Sequence, residues 1–508
     1  MSKFASQNTI RKPMGILNTG AQSFTYEGYS GYAKDAKTEL FSLIVSRFVA
    51  DDSFYEKADK TLARLSNLTK TVAIEDPAWL LQLIKWTRSS ANMRTAPFIM
   101  AVDACSVRAV NARQMINVAC QRDDEPAEAL AYYMANYGRK IPGNLKRGLA
   151  DAITRLYSQY TVIKYDSQNH SMRPADVIDL VHPKPVGPIQ AALFKYMLDI
   201  RHSRSEPRGL EYLQILFELE QWKKFDDKLS LRQPSTGVTW ELLSSYVPMD
   251  AKAWEHIIPS MGYMALLRNL RNFDEAKISR ESEDYVRNFL EDPEKIAKSK
   301  QLPFRFWSAY KNTSSLTYAL SIERALQEST NNVPTLSGRT LLMVDASGSM
   351  SSAMSGKSKM TCGETAAVFA SCVAVKNPNS LVCAYDYARN TVGVQNGPSV
   401  LRMIETIRSI RMGGGTETWP ATQLAFTSRG KFDRVMIFTD MQDHPRQSAT
   451  FIPKDVPVYV WDLAGYSTAN LETGSNRYLL SGMTDQMFKL VELLESYKPG
   501  VWPWEIEV

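Results

Sequence analysis

The sequence predicts two architectures in succession: a long α-helical array over residues 1–337, then a doubly wound α/β domain with a parallel sheet over residues 338–508. Three observations carry this. From Glu39 onward apolar residues return every three or four positions in runs of helical length, and strand-like alternation is nearly absent before residue 338. Beyond it, short continuous apolar runs such as Leu341–Val344 and Val435–Phe438 alternate with amphipathic stretches, the pattern of a parallel sheet covered on both faces. Between the two, NNVPTLSG has the turn residues of a linker and sets the boundary near Val333–Gly338.

In chain order, residues 1 to about 30 are rich in Gly, Ser, Asn and Tyr without a period and read as an extended arm. Helix then follows helix: LFSLIVSRFVADDSFYEKADKTLARL, and PAWLLQLIKWTRSSA, where Pro77 opens a helix behind Asp76. APFIMAVDACSVRAV, NARQMINVAC and PAEALAYYMANYGRK continue in helices of ~10–15 residues with short polar joints. Such a succession suggests a solenoid of the HEAT or armadillo kind, although no strict repeat of ~40 residues is visible. In PFRFWSAYK, Phe304, Trp307 and Tyr310 recur at helical spacing and read as core packing. Arg268 and Arg271 in LLRNLRN either line a cavity of the array or coat a solvent face.

The second domain reads as strand Thr340–Val344, helix Glu364–Val375, strand Leu381–Tyr387, helices Val400–Ile410 and Thr418–Ser428, strands Arg434–Phe438 and Val456–Trp461, and a last helix near Asp485–Ser496. Trp502 and Trp504 read as an anchor that docks the C-terminus on the body.

With 44% hydrophobic, 22% charged and 10% aromatic residues the composition is that of an ordinary globular protein. A net charge of +6 permits a polyanionic partner without demanding one. The five cysteines form no CxxC pair and leave one over in any disulfide scheme, which fits a reduced setting. No apolar run approaches the ~18 residues of a membrane span, and MSKFASQNTIRKP lacks an apolar signal core. A monomeric cytoplasmic protein without a membrane partner is expected.

The richest stretch chemically is RTLLMVDASGSM, Arg339–Met350. A buried strand runs into a tight loop, and ligands collect beyond the carboxyl ends of such strands. Asp345, Ser347 and Ser349 offer one carboxylate and two hydroxyls that a curled loop can aim at one centre, and such hard oxygen donors suit Mg²⁺. GGGTET adds the hydroxyl of Thr416, and VMIFTD is another buried strand ending in the carboxylate of Asp440. Each of these residues also reads as an ordinary loop or helix-cap residue.

DASGSM, GGGT and a strand ending in TD, in that order, resemble the von Willebrand factor A domain and its metal-ion-dependent adhesion site. The resemblance implies a divalent cation, Mg²⁺, held by Asp345, Ser347, Ser349, Thr416 and Asp440, with one position open to a partner's carboxylate.

In the helical part the excess positive charge concentrates between Arg139 and Arg204, with eleven Lys or Arg against five Asp, plus His170, His182 and His202. Basic side chains at adjacent helix ends neutralise phosphates, and an aromatic such as Tyr165 stacks on unpaired bases. A solvated basic face with Tyr165 in the core is the alternative. Lys140, Lys146, Arg147 and Lys184 are candidates from charge and position.

GRK with LKRGLADAI, a helix ending in KY, DLVHPKP, MALLRNLRN and PFRFWSAYK, followed directly by the A-type domain, resemble the TROVE module of the Ro autoantigen family. That family closes a ring of HEAT-like helical repeats with the A-type domain. The resemblance implies a Ro-type ribonucleoprotein scaffold in RNA quality control or stress response. It would bind Y-like noncoding RNA on an outer basic surface and the single-stranded 3′ end of misfolded RNA in the ring, and work with an exonuclease partner. By motif, the family's phosphate-contacting lysine matches Lys164 and its RNA-contacting histidine matches His182. A third family position, an arginine, falls here at Gln168, where Arg173 lies close enough to substitute.

An enzyme is disfavoured. DASGSM lacks the glycine pattern of a nucleophile elbow, and there is no P-loop, no HExxH and no Cys/His metal cluster. The competing reading is a metal-dependent protein-interaction scaffold without RNA.

Overall fold

The computed structural model describes the chain apart from residues 1–18, 25–29, 47–57, 92, 167–171, 205–207, 230–237, 300, 302, 314, 334, 356–357, 411–412, 444–448, 465–467, 472–475, 482–490, 492–494, 496–501 and 506–508. It forms two compact units. One joins residues 1–68, 302–304 and 329–508, and the other joins residues 69–301 and 305–328.

In the first unit a six-stranded sheet has the order β11-β9-β8-β3-β6-β7. Its strands are β3 (Thr340–Asp345), β6 (Leu381–Tyr385), β7 (Val392–Val394), β8 (Arg434–Thr439), β9 (Val458–Asp462) and β11 (Arg477–Ser481). All neighbours pair in parallel except β6 and β7. Every residue of β3, β8 and β9 is buried, so both faces are covered, as the unbroken apolar runs require. The chain leaves β3 toward β6 on one side and returns as β8 on the other. The carboxyl ends of β3 and β8 therefore meet at a topological switch point, where open α/β sheets bind ligands.

Helix Cys362–Lys376 packs on β3 through apolar side chains, and Phe369 stacks near Phe438 and Trp461 with ring centroids 6.5 and 5.8 Å away. Its start is fixed by a capping box between Thr361 and Glu364. Helices Val400–Ser409 and Thr418–Ser428 fall where the periodicity places them. Of the expected last helix only Val491 and Glu495 are described, both helical, and Glu495 takes both arms of the Arg434 guanidinium at 2.6 and 2.7 Å.

The arm at the N-terminus differs from expectation. Strands β1 (Thr19–Phe24) and β2 (Ser30–Lys34) form an antiparallel pair, and β2 also pairs with β10 (Thr468–Ala469). Lys34 is buried, donating to Asp462 Oδ2 at 2.7 Å and Ser42 Oγ at 3.0 Å. Trp502 and Trp504 stack 5.6 Å apart and reach Phe41 at 5.5 and 6.2 Å, so the C-terminal tail docks as expected. A cut at residue 338 thus follows chain order, whereas packing gathers the first 68 residues with the sheet. A short hairpin of β4 (Ala353–Ser355) and β5 (Ser358–Thr361) follows β3.

The second unit is helical. Pro77–Ser89 opens with Asp76 accepting from the Trp79 amide and Pro77 in the first turn. The helices Thr95–Ser106, Ala112–Ala119, Glu125–Tyr137, Gly143–Leu156, Pro174–Val181 and Gly187–Arg201 follow, each burying an apolar face on neighbours close in sequence. Gly148 lets Gly143–Leu156 approach Ala112–Ala119 closely, since a Cβ there would sit 2.7 Å from both Arg113 O and Ile116 Cβ. Phe304 and Trp307 are buried and Tyr310 stacks on Trp307, the packing stripe the spacing suggests.

The fold class is a helical array plus a doubly wound α/β domain, as the sequence implies. All five thiols are buried and none is joined in a disulfide. Among the described residues no helix is long and apolar enough to cross a membrane.

Candidate functional site

At the switch point the first loop follows β3. Asp345 closes the strand, and its Oδ1 accepts the Ser347 amide at 2.9 Å, which curls the chain so that Ser347 Oγ and Ser349 Oγ lie 3.3 Å apart. Asp440 follows β8, the strand beside β3, and is hydrogen-bonded by the Ser349 hydroxyl. The Thr439 hydroxyl donates to Asp345 Oδ2 at 2.6 Å. Met441, next in the chain, holds a left-handed φ of 66°, an uncommon conformation for a non-glycine residue and one that concentrates at functional turns.

Thr416 is buried in the glycine loop, which is bonded to the Asp345 loop through the Gly348 amide and Gly414 carbonyl at 3.1 Å. The five residues singled out from the motifs thus lie on three loops at one end of the sheet, four of them linked by side-chain hydrogen bonds among themselves.

The electrostatics are unusual for a loop cluster. Asp345 and Asp440 are 0% and 1% exposed, and no Lys, Arg or His pairs with either among the described residues. Burial pushes the Asp440 carboxyl up to about 8, with the Asp345 charge adding to the rise, and burial raises Asp345 as well. Two such carboxylates repel and lack hydration, so a cation placed between them relieves both penalties. Among the described residues no group of three or more His, Cys, Asp or Glu side chains gathers as a metal site. The donor set here is two carboxylates and three hydroxyls, and that mixture fits a hard, oxygen-seeking ion such as Mg²⁺.

Thr439 and Asp386 were not legible as site residues. The first hides in the apolar strand run and the second sits just past β6, in a turn with no motif.

The basic surface belongs to the helical unit. Lys164 is exposed in the last turn of helix Gln159–Tyr165. His182 is exposed at the C-terminal end of helix Pro174–Val181, with a left-handed φ of 54° and its amide bonded to the Ile178 carbonyl at 2.9 Å. Lys184 is exposed two residues on, and Lys140 is exposed where its carbonyl accepts the Tyr133 hydroxyl at 2.9 Å. Lys146 is half-buried in the first turn of Gly143–Leu156, a turn with no acidic residue, and Arg147 is exposed just after it. That placement inverts the usual pairing of charge with helix dipole and leaves positive potential facing solvent. No ion pair engages Lys140, Lys146, Arg147, Lys164, His182 or Lys184 among the described residues, whereas Arg88, Arg94, Arg113 and Arg201 are all paired.

Two expected contacts look different in place. Arg173 is buried: its Nε and Nη2 bind the Asp166 carboxylate at 3.1 Å, and Nη2 also binds the Asp166 carbonyl. Because Asp166 ends one helix and Arg173 begins the next, the pair acts as a strut between the helices bearing Lys164 and His182. Arg173→Ala is expected to cost about 3–5 kcal/mol by leaving the buried Asp166 unpaired, measured by denaturant unfolding. Unchanged stability would return that guanidinium to the RNA surface. Tyr165 is half-buried between cations, its hydroxyl accepting from Arg122 at 3.1 Å and Lys164 Nζ 5.4 Å from its ring. Gln168 and His170 lie outside the described residues. Arg268 is exposed, and Arg271 is exposed and pairs with Glu275 at 3.3 Å.

Comparison with known proteins places these features. The TROVE domain family matches residues 224–376 and the Ro60 vWA domain family matches residues 339–451. Telomerase protein component 1 of Mus musculus is 21% identical over 368 residues, covering 61% of this chain and 14% of that protein. The Rattus norvegicus protein of the same name is 20% identical over 366 residues, with the same coverage. The chain thus spans about 14% of the length of these curated relatives. The crystal structure of the Deinococcus radiodurans RO (RSR) protein shares the fold with a TM-score of 0.58 at 16% identity, covering 88% of this chain and 97% of that one. With a TROVE-domain match followed by a Ro60-type von Willebrand factor A match, in the order its motifs announce, the chain resembles the TROVE-module proteins of the Ro family over these residues and shares the fold of a Ro protein.

Proposed function

We propose that this protein is a non-enzymatic RNA-binding scaffold, with RNA phosphates held by Lys164, His182, Lys140, Lys146, Arg147 and Lys184. The observation that carries this reading is the set of basic side chains, five exposed and Lys146 half-buried, without ion-pair partners among the described residues, in a unit whose other arginines are largely neutralised. The matched TROVE stretch begins at residue 224, so the assignment of Lys164 and His182 rests on their motifs and exposure. Noncoding RNA of the Y-like class is the ligand proposed for this surface, and single-stranded 3′ ends of misfolded RNA are proposed as a second ligand of the helical unit. The setting we infer is cytoplasmic RNA quality control or stress response.

The A-type domain is the recruiting half. A Mg²⁺ held by Asp345, Ser347, Ser349, Thr416 and Asp440 would supply a coordination position for a partner's carboxylate. Ser347 and Ser349 orient their hydroxyls toward one another, and Thr439 fixes Asp345. An exonuclease is one partner such a domain would bring to the RNA.

Crosslinking in the protein's own cells, with sequencing of bound RNA and mapping of contact positions, tests the reading. A structured noncoding RNA crosslinked near Lys164 and His182 is the expected result. A stable protein partner with no RNA would instead support the metal-dependent protein scaffold.

A further inference from the structure

Just beyond β6 lies a carboxylate that no motif announced. Asp386 is buried, and its Oδ2 accepts the Gly414 amide at 3.2 Å while its backbone carbonyl accepts the Glu417 amide at 2.8 Å. Oδ1 is held in turn by the Tyr387 amide at 2.5 Å and Asn390 Nδ2 at 2.8 Å, so the carboxylate is itself locked. The Glu417 carboxylate returns the grip by accepting the Ala388 amide at 2.8 Å. Thr416 sits between these two anchor points.

The glycine at 414 has a reason in this arrangement. A Cβ there would lie 2.3 Å from Tyr387 Cε2 and 3.0 Å from Asp386 Oδ2, so the Tyr387 ring lies against the bare backbone and closes the loop from outside. On its other side the Gly414 carbonyl takes the Gly348 amide from the Asp345 loop. The peptide groups on both sides of the Gly414 Cα are thus fixed, and the flexibility that three successive glycines give an isolated chain is removed.

We propose that Asp386 is the positioning residue of the candidate cation site: it clamps the Gly413–Glu417 loop and so sets where the Thr416 hydroxyl is presented. It acts through Gly414 and Glu417, not as a donor to the cation. The inference rests on the cation reading given above. Outer partners that orient metal ligands change affinity by roughly 10–100-fold when removed, and that is the scale expected here.

The experiment uses the full chain with Mn²⁺ as probe, and measures Mn²⁺ affinity by calorimetry and hydrogen exchange of the Gly414 amide without metal. Asp386→Asn turns an amide NH₂ or a lone carbonyl toward donors that now have one acceptor too few. It is expected to weaken Mn²⁺ binding at least about tenfold and to speed Gly414 exchange by a similar factor. Gly414→Ala keeps the Asp386 charge but strikes Tyr387, and is expected to weaken Mn²⁺ binding to the same extent. Wild-type affinity in Gly414→Ala with loss in Asp386→Asn would mean that the carboxylate acts by charge alone, and overturns the clamp. Wild-type affinity and protection in Asp386→Asn overturns it too. Should Asp386→Asn fail to fold, Gly414→Ala decides alone. A wild-type chain that binds no Mn²⁺ defeats the cation reading itself, a result distinct from either.

Discussion

Asp440→Asn is expected to abolish divalent-cation binding while leaving the metal-free fold as stable as the wild type or more so. The side chain is 1% exposed and accepts the Ser349 hydroxyl and the Gln442 amide, the latter at 3.2 Å. An amide keeps the volume and one acceptor. It removes a carboxyl that burial and the facing Asp345 hold against ionisation, with no cationic side chain beside it among the described residues. Replacing buried charge by neutral groups of similar volume is often neutral or stabilising by about 1–4 kcal/mol. With one of two anionic donors gone, affinity should fall by more than about 100-fold, beyond the range seen for a mere outer partner. The check is thermal unfolding with chelator and with Mg²⁺. At 100 times its dissociation constant the ion stabilises the wild type by about 2.7 kcal/mol and the variant by nothing. Equal Mg²⁺ stabilisation of both proteins would remove Asp440 from the site.

The second large effect concerns RNA. The pair Lys164→Ala and His182→Gly is expected to weaken binding of a structured RNA by roughly 100-fold or more, since hydrogen bonds to charged groups contribute about 1.5–3 kcal/mol each. Glycine is the informative replacement at 182. The residue caps a helix with φ of 54°, which glycine adopts without cost, whereas alanine pays about 1–2 kcal/mol there. A loss of affinity in a variant with an unchanged or higher melting temperature therefore reports the missing imidazole and ammonium, not a damaged fold. Undiminished affinity would show that this surface does not hold the RNA.

Much of this was legible in the residues, for physical reasons that differ by element. β3 and β8 are buried on both faces and so write themselves as unbroken apolar runs, and Asp345 and Asp440 stand out because such strands end where polar residues begin. Helix Thr418–Ser428 has the bounds its periodicity gives. β1 and β2 were illegible because their Gly-, Ser- and Tyr-containing residues carry no apolar alternation; they pair with each other, and β2 also takes β10 from far along the chain. β7 and β11, at the sheet's two edges, escaped the reading as well. On the basic surface, charge and motif singled out Lys164 and His182 but could not tell an exposed basic side chain from a strut. Arg173 has the same chemistry as its neighbours and differs only in facing Asp166. Asp386 lacked a signal altogether, because its work is done on backbone amides that carry no sequence mark.

The central claim, that the helical unit grips RNA phosphates through its unpaired basic surface, is tested most directly by the salt dependence of RNA affinity. A structured RNA hairpin would be titrated across a range of salt with the wild type and with Lys164→Ala. The account predicts a steep linear fall of log affinity with log salt, with a slope about 1 smaller in magnitude for the variant. A flat dependence, or one identical in the two proteins, would contradict it.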